Sequence, residues 1–167
     1  IQLCNVSVTR CVATGGISVR NRLNLDTTMT TTIIKSANES NQEQAIAVIS
    51  LAFATDPVSR WIYPDPHQYL SYFPKVVRLF TGNAFNRGTG YYVDGFSGVA
   101  LWLPPNVHTG EKEMETLPKQ TVPEQNQQNV FAVLEKMADN HPKEPHWYLP
   151  MIGVDPNHQG KGYGSAL

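Results

Sequence analysis

The sequence predicts an α+β domain in which helices flank a mixed, largely antiparallel sheet. Segments with apolar residues at helical spacing alternate with short β-prone runs, and a strong hairpin signal lies at Asp94-Gly95. The last apolar run, residues 147–154, leads into a glycine-rich turn. With 167 residues, 41% of them hydrophobic, the chain is long enough for one domain with its own core.

The N-terminal elements are predicted from β propensity and capping. Residues 31–35 are β-prone and form a predicted first strand. Ser40 and Glu43 have the spacing of a capping box, and the apolar residues that follow predict a first helix. Asp56-Pro57 is expected to end that helix.

A second helix is predicted to begin at Asp65-Pro66, a favourable N-cap and N1 pair. Apolar and aromatic residues recur at helical spacing from Tyr69 to Phe80, and Pro74 within this pattern is expected to kink or split the helix. The pattern favours core residues over the alternative, in which some of these side chains line a binding pocket.

The middle of the chain predicts a hairpin and further helices. Residues 91–93 and 98–103 are the hairpin strands around Asp94-Gly95, and Pro104-Pro105 ends the second of them. Residues 106–124 form a predicted loop with a short helix over 111–117. Residues 125–139 carry an apolar stripe typical of an amphipathic helix, and a strand follows at 147–154.

Glycines at alternate positions, Gly160, Gly162 and Gly164, follow that strand and precede small helix-forming residues. Backbone amides at a helix N-terminus, left accessible by glycine, can bind phosphate, and Lys161 adds a positive charge. The spacing fits neither a Walker A loop nor the dinucleotide fingerprint. The alternative is a glycine-rich surface turn at the end of a buried strand.

The string from Gln159 to Gly164, after a strand that ends in Gly153-Val154, resembles the acetyl-CoA signature Q/R-x-x-G-x-G/A of the GNAT N-acetyltransferase superfamily. The resemblance implies that the loop amides hold the CoA pyrophosphate and that the strand pairs with the pantetheine arm. It also implies that one strand amide polarises the thioester carbonyl. The implied cofactor-binding residues are Ile152, Val154, Gln159, Gly160, Lys161, Gly162, Gly164 and Ser165.

Upstream segments, including Trp147-Tyr148-Leu149 and Val99-Ala100-Leu101-Trp102, resemble the puromycin N-acetyltransferase-like members of the superfamily. The resemblance covers about residues 29–167. Against the family pattern, we expect the C-terminal strands and helix to be absent from this chain. Residues 29–167 would then be the N-terminal portion of the domain, which alone would bind acetyl-CoA poorly and turn over little.

Residues 1–28 are expected to be a non-native or disordered leader, since Met29 reads as a natural start. They lack the apolar segment of a signal peptide. Cys4 and Cys11 both fall in this leader and are expected to be irrelevant to function. The net charge of −1 gives no indication of nucleic-acid or membrane binding, and a cytoplasmic location is expected.

The predicted function is transfer of an acetyl group from acetyl-CoA, without a metal, to a primary amine of a small molecule such as an antibiotic or metabolite. The alternatives are a protein or peptide acceptor, a non-catalytic CoA-binding module, and a nucleotide-binding loop. The oligomeric state is not indicated. No general base or acid is assigned, and a structural role is favoured for each of the polar candidates, which are Glu144, His146, Asp155, Asp56 and Tyr63.

Overall fold

The computed structural model describes residues 32–107 and 110–167. The predicted leader, residues 1–28, lies outside the described residues, as does His108. Within the described part, four strands and six helices form an α+β unit, Thr32–Leu167. This confirms the predicted fold class.

The sheet contains β1 (Ile34–Ala37), β2 (Gly90–Val93), β3 (Gly98–Leu103) and β4 (Tyr148–Val154) in the order β1-β2-β3-β4. All three pairings are antiparallel. The β2–β3 hairpin turns at Asp94-Gly95 as predicted, and Gly95 adopts φ +78° there. The strand β4 forms one edge of this sheet.

Two N-terminal predictions need correction. The first strand begins at Ile34, later than predicted, because its register is set by antiparallel pairing with residues 90–93 of β2. The capping box is formed by Asn38 and Asn41, not by Ser40 and Glu43. Asn38 accepts hydrogen bonds from the Ser40 amide and hydroxyl, so a 3-10 turn precedes the helix.

The first two helices are separated by a short turn. Helix α1 (Gln42–Ala52) ends before Asp56-Pro57, and these two residues begin α2 (Pro57–Ile62) instead of ending α1. The Asp56 carboxylate accepts from the Ser59 amide at 2.8 Å, which is the bond expected of an N-cap.

Helix α3 (Pro66–Asn86) starts where predicted, with the Asp65 carboxylate accepting from the Gln68 amide. It continues through Pro74, so the expected division into two helices is wrong. Buried residues continue on one face across the proline, from Phe73 to Val77, and packing therefore holds both halves. The Leu70 carbonyl, which proline deprives of its donor, belongs to a residue that is 68% exposed.

Helices α4 (Glu111–Thr121) and α5 (Glu124–Asp139) follow β3. The predicted α5 is confirmed within one residue. The predicted short helix at 111–117 extends four residues further, to Thr121. The Thr121 hydroxyl donates to the Leu117 carbonyl at 2.7 Å and is buried beside Tyr63, so tertiary contact extends the helix.

The core lies between the sheet and the helices α1 and α3. Its largest fully buried side chains include Ile49, Val77, Val99, Leu101 and Leu103. Tyr69 and Phe73 are also buried in this core, as the preferred interpretation of that stretch predicted.

Helix α1 packs closely on β4 at Gly153. A Cβ atom at Gly153 would lie 2.8 Å from the Ala52 Cβ and 3.2 Å from the Ile49 Cδ1. On the opposite face of the sheet, a Cβ at Gly98 would meet Leu167 and Val154. The two faces of β4 are thus covered differently, by α1 on one side and by the C-terminal residues on the other.

Candidate functional site

Among the described residues, the outer edge of β4 presents backbone groups that the sheet does not use. Asp155 donates its amide to the Ser97 carbonyl at 3.0 Å, which makes this a hydrogen-bonded pair of the β3–β4 ladder. Hydrogen-bonded and non-hydrogen-bonded pairs alternate in an antiparallel ladder. Gly153 and Met151 therefore bond to β3, whereas the amides of Val154 and Ile152 point to the free edge.

An independent bond agrees with this alternation. The Val154 carbonyl accepts a hydrogen bond from the Gln159 side-chain amide at 3.3 Å, so it faces away from β3. On the other side of β3, Trp102 donates to the Thr89 carbonyl of the β2 side at 3.1 Å. Because of the alternation in β3, the backbone N–H and C=O groups of Val99 and Leu101 then point towards β4.

The regular ladder ends at a bulge in the first half of β4. Met151 pairs with Leu101, and Tyr148 pairs with Leu103. Between these two pairs the chain advances three residues in β4 but only two in β3. Pro150, within this irregular part, has no amide to donate, which suits an edge strand or a bulge. The bulge changes the direction in which the strand presents its groups from this point towards Tyr148.

A tight turn joins β4 to the glycine loop. The Asp155 carboxylate accepts from the Asn157 amide at 2.8 Å, and Pro156 begins a 3-10 turn that ends at His158. The Asp155 carboxylate lies 3.7 Å from His158 Nδ1. Asp155 is therefore a turn-forming residue, in agreement with the structural role that the sequence analysis favoured.

The glycine loop adopts a backbone conformation that favours glycine. Gly160 has φ +75° and Gly162 has φ +80°, both in the left-handed region. Open space surrounds the position of a Cβ at either residue. Within the described part of the chain, the amides of Gly160, Lys161 and Gly162 donate no hydrogen bond. They are available to an external acceptor.

Helix α6 (Tyr163–Ala166) begins directly after this loop. The Gly162 carbonyl accepts from the amides of Ser165 and Ala166, both at 3.1 Å, and so closes the first turn. Lys161 is exposed next to the free amides, as are Gly164 and Ser165. The loop thus combines free donors with one formal positive charge and can bind an anionic group.

The structure brings the eight predicted cofactor residues into one continuous segment. Ile152 and Val154 lie on the free edge of β4, residues 159–162 in the loop, and Gly164 and Ser165 in α6. No group of three or more metal-ligating side chains occurs among the described residues. None of the helices described here is long and apolar enough to cross a membrane.

Two of the polar candidates, Asp56 and Tyr63, lie far from this segment in sequence, and each has a structural role. Asp56 caps α2. The Tyr63 hydroxyl lies 2.9 Å from Thr121 Oγ1, and since Thr121 donates its own proton to Leu117, Tyr63 must be the donor. Burial raises the pKa of Tyr63, which keeps its phenol protonated.

The other two candidates lie before β4, where the structure forms an aromatic cluster that sequence reasoning missed. The rings of His141 and His146 are 4.8 Å apart, and His141 makes an edge contact with Tyr148 at 4.7 Å. Glu144 is exposed, and its carbonyl lies 2.7 Å from His146 Nδ1. No spacing rule links His141 to Tyr148, because the contact depends on how residues 140–147 turn back towards β4.

A family model matches the C-terminal part of the chain. Residues 123–167 match the model of the acetyltransferase (GNAT) family. The matched stretch contains α5, β4, the glycine loop and α6.

Two solved structures share the fold. The first is described as histone acetyltransferase HPA2 and related acetyltransferase from Corynebacterium glutamicum, with 22% identity and a TM-score of 0.52. The match covers 81% of this chain and 66% of that one. The second is a mosquito arylalkylamine N-acetyltransferase like 5b, with 16% identity and a TM-score of 0.50, covering 82% of this chain and 67% of that one.

The chain spans about two thirds of the length of these two proteins. At such identities the likeness shows the fold alone. The family match is therefore confined to residues 123–167, and the solved structures add the fold.

Proposed function

We propose that the protein transfers the acetyl group of acetyl-CoA to a primary amine of a small molecule in the cytoplasm. The observation that carries the proposal is the continuity of two sets of free backbone donors. The outward amides of β4 lead directly into the unpaired amides of the glycine loop.

In this proposal, the loop and the start of α6 hold the pyrophosphate. The amides of Gly160, Lys161 and Gly162 donate to phosphate oxygens, and the Lys161 ammonium offsets their charge. Gly164 leaves the first turn of α6 open to close approach, with Ser165 beside it. Gln159 ties the loop to β4 through the Val154 carbonyl.

The free edge of β4 accommodates the pantetheine arm as an added strand would be accommodated. Pantetheine contains two amide groups, which can pair with the outward backbone groups of Ile152 and Val154. A strand amide near the bulge then donates to the thioester oxygen, where negative charge develops during acyl transfer. The acetyl group would lie towards Tyr148, at the opposite end of β4 from the glycine loop.

The small-molecule acceptor rests on the resemblance to the puromycin N-acetyltransferase-like members. A protein or peptide amine is the alternative acceptor, and a CoA-binding module without activity is the alternative function. A thiol-release assay separates these alternatives. Release of CoA with small amines would support the small-molecule acceptor, and release with a lysine peptide would support the protein or peptide acceptor. No release with either would support the CoA-binding module.

Calorimetry on the full-length protein tests the cofactor site. We expect acetyl-CoA to bind and ATP not to bind. Gly164→Glu should weaken acetyl-CoA binding by about tenfold or more, since it adds a negative charge within a few ångströms of the pyrophosphate.

Gly164 is a better position for this test than Gly162. Its φ is not positive, and a Cβ there makes only an ordinary 3.7 Å contact with Val154. Gly164→Ala is the matched control and should bind nearly as wild type. A wild-type protein that binds no acetyl-CoA, or a Gly164→Glu variant that binds it normally, would contradict the proposal.

A further inference from the structure

The imidazole of His146 has one nitrogen that is fully engaged and one that is not. Nδ1 lies 2.7 Å from the Glu144 carbonyl oxygen. Nε2 is buried, and no hydrogen-bond partner for it exists among the described residues. A buried polar atom without a partner is unfavourable and calls for an explanation, of which a catalytic role is one.

The bond to Glu144 fixes the tautomer of the ring. A carbonyl oxygen can only accept, so Nδ1 must carry the proton. In the neutral imidazole, Nε2 then holds the lone pair. This is the form of histidine that accepts a proton, held in one orientation by a backbone contact.

The surroundings of the ring place this lone pair at the end of β4 opposite the glycine loop. His141 and Tyr148 contact the ring, with centroids at 4.8 Å and 6.4 Å. Tyr148 pairs with Leu103 and packs against the core on the face that α1 and α3 cover. Tyr148 is four residues from Ile152, about 13 Å along an extended strand.

This end of β4 is also where the cofactor proposed above would place its reactive group. The thioester is at the far end of the pantetheine arm from the pyrophosphate. If the pyrophosphate lies in the glycine loop, the reactive carbonyl lies towards the bulge and the His146 cluster.

We propose that His146 is the catalytic proton acceptor for the amine; the inference rests on the proposed function. Nε2 takes one proton from the bound ammonium, which frees the nitrogen lone pair. The nitrogen then attacks the thioester carbon, a C–N bond forms and the C–S bond breaks. A second amine proton goes to the departing thiolate, and His146 later releases its own proton to solvent, so the products are amide, CoA thiol and one proton.

The test uses His146→Asn in the full-length protein, with His67→Asn as the matched control. The asparagine amide can still donate to the Glu144 carbonyl but cannot accept a proton at neutral pH. His67 is exposed on α3, so its replacement should change nothing. The probes are acetyl-CoA with 2-phenylethylamine, spermidine and a lysine peptide.

We expect His146→Asn to lower kcat by about 10²–10⁴-fold and to remove the acidic limb of the kcat/KM pH profile. Acetyl-CoA binding by calorimetry should remain within a factor of two of wild type. His141 and Tyr148 are the titratable groups in ring contact with His146. Tyr148→Phe and His141→Asn should both keep the acidic limb.

A second readout does not need an amine. Nitrogen-15 NMR of the imidazoles should show His146 as the Nδ1–H tautomer at neutral pH, and the Nε2–H tautomer would overturn the inference. Retained activity and a retained acidic limb in His146→Asn would also overturn it, while leaving the acetyltransferase proposal intact. If wild type acetylates none of the probes and binds no acetyl-CoA, both proposals fail.

Discussion

Individual glycines differ in why they are present. Gly95 adopts φ +78° in the β2–β3 turn, whereas Gly82 lies within α3. A Cβ would enter open space at both positions. Backbone conformation alone therefore distinguishes them, which makes the two residues a matched pair.

We expect Gly95→Ala and Gly82→Ala to change stability in opposite directions. Alanine in the left-handed region costs about 1–2 kcal/mol, so Gly95→Ala should lower the free energy of unfolding by about that amount. Alanine within a helix is better than glycine by about 1 kcal/mol, so Gly82→Ala should raise it. Urea unfolding measures both, and equal signs would contradict the assigned backbone conformations.

The Lys35–Asp94 pair is expected to make the stability of the fold depend on pH. Lys35 Nζ lies 2.7 Å from Asp94 Oδ1, and this hydrogen bond lowers the pKa of Asp94. A carboxylate with a lowered folded pKa stabilises the fold above its unfolded pKa, and this contribution is lost as pH falls through the folded value. Both side chains are about half exposed, so the effect is small and screened by salt.

Asp94→Asn should therefore lower the melting temperature slightly at pH 7 and leave it unchanged at a pH below the folded pKa of Asp94. Added salt should reduce the difference at pH 7. Differential scanning calorimetry at two pH values and two salt concentrations measures this. An effect of equal size in acid would show that the Asp94 carboxylate acts through its bond to the Gly95 amide, not through charge.

At the scale of elements, the contact between α1 and β4 depends on Gly153. A Cβ at that position would lie 2.8 Å from Ala52 Cβ. To relieve this contact, the backbone of β4 would have to move away from α1. Gly153→Ala should lower the free energy of unfolding by about 1–3 kcal/mol, the usual cost of overpacking.

A second substitution tests this reason. Ala52→Gly removes the opposing methyl group and alone should cost up to about 1 kcal/mol. If the clash is the cause, the double variant should be more stable than the sum of the single effects predicts. Strict additivity in urea unfolding would mean that Gly153 is needed for another reason.

Local signals predicted the elements whose boundaries are set locally. Asp65-Pro66 and Asp94-Gly95 combine a side-chain cap or a left-handed glycine with sharp changes of pattern, and both were confirmed. The expected split at Pro74 was wrong because packing across the proline outweighs its local cost. The extension of α4 to Thr121 depends on a contact with Tyr63, which no local pattern contains.

Some features of the candidate site could likewise be predicted from local sequence, and others could not. The glycine loop is contiguous in sequence, and its composition alone predicted free amides at the start of a helix. The free edge of β4 and the unpaired Nε2 of His146 follow from the order of strands and from a turn before β4. These features need the folded arrangement of distant segments, so the sequence could name the residues but not their orientation.

At the scale of the whole molecule, buried tyrosines predict a loss of stability in alkali. Burial raises the pKa values of Tyr63, Tyr69 and Tyr148. The folded protein thus holds these protons more tightly than the unfolded chain does. The stabilisation is complete below the unfolded pKa of about 10 and is lost as pH rises through the raised folded values.

Tyr69→Phe should reduce this alkaline loss. The phenol donates to the Ser50 carbonyl at 2.6 Å, so the variant should also lose about 1 kcal/mol at pH 7. Between pH 7 and pH 11, its free energy of unfolding should fall less than that of wild type. Tyr91→Phe, which changes a more exposed ring, is the control and should leave the pH dependence unchanged.

The one-sided bonding of β4 has a consequence for the exchange of amide hydrogens with deuterium. Met151 and Gly153 donate to β3 and should exchange slowly, whereas Ile152 and Val154 should exchange quickly, which gives a two-residue alternation in protection. Acetyl-CoA should slow exchange at Ile152 and Val154 selectively, because an added partner strand would engage those two amides. Residue-resolved exchange rates would thus distinguish, on one strand, the amides that bond within the sheet from the amides that are open to a ligand.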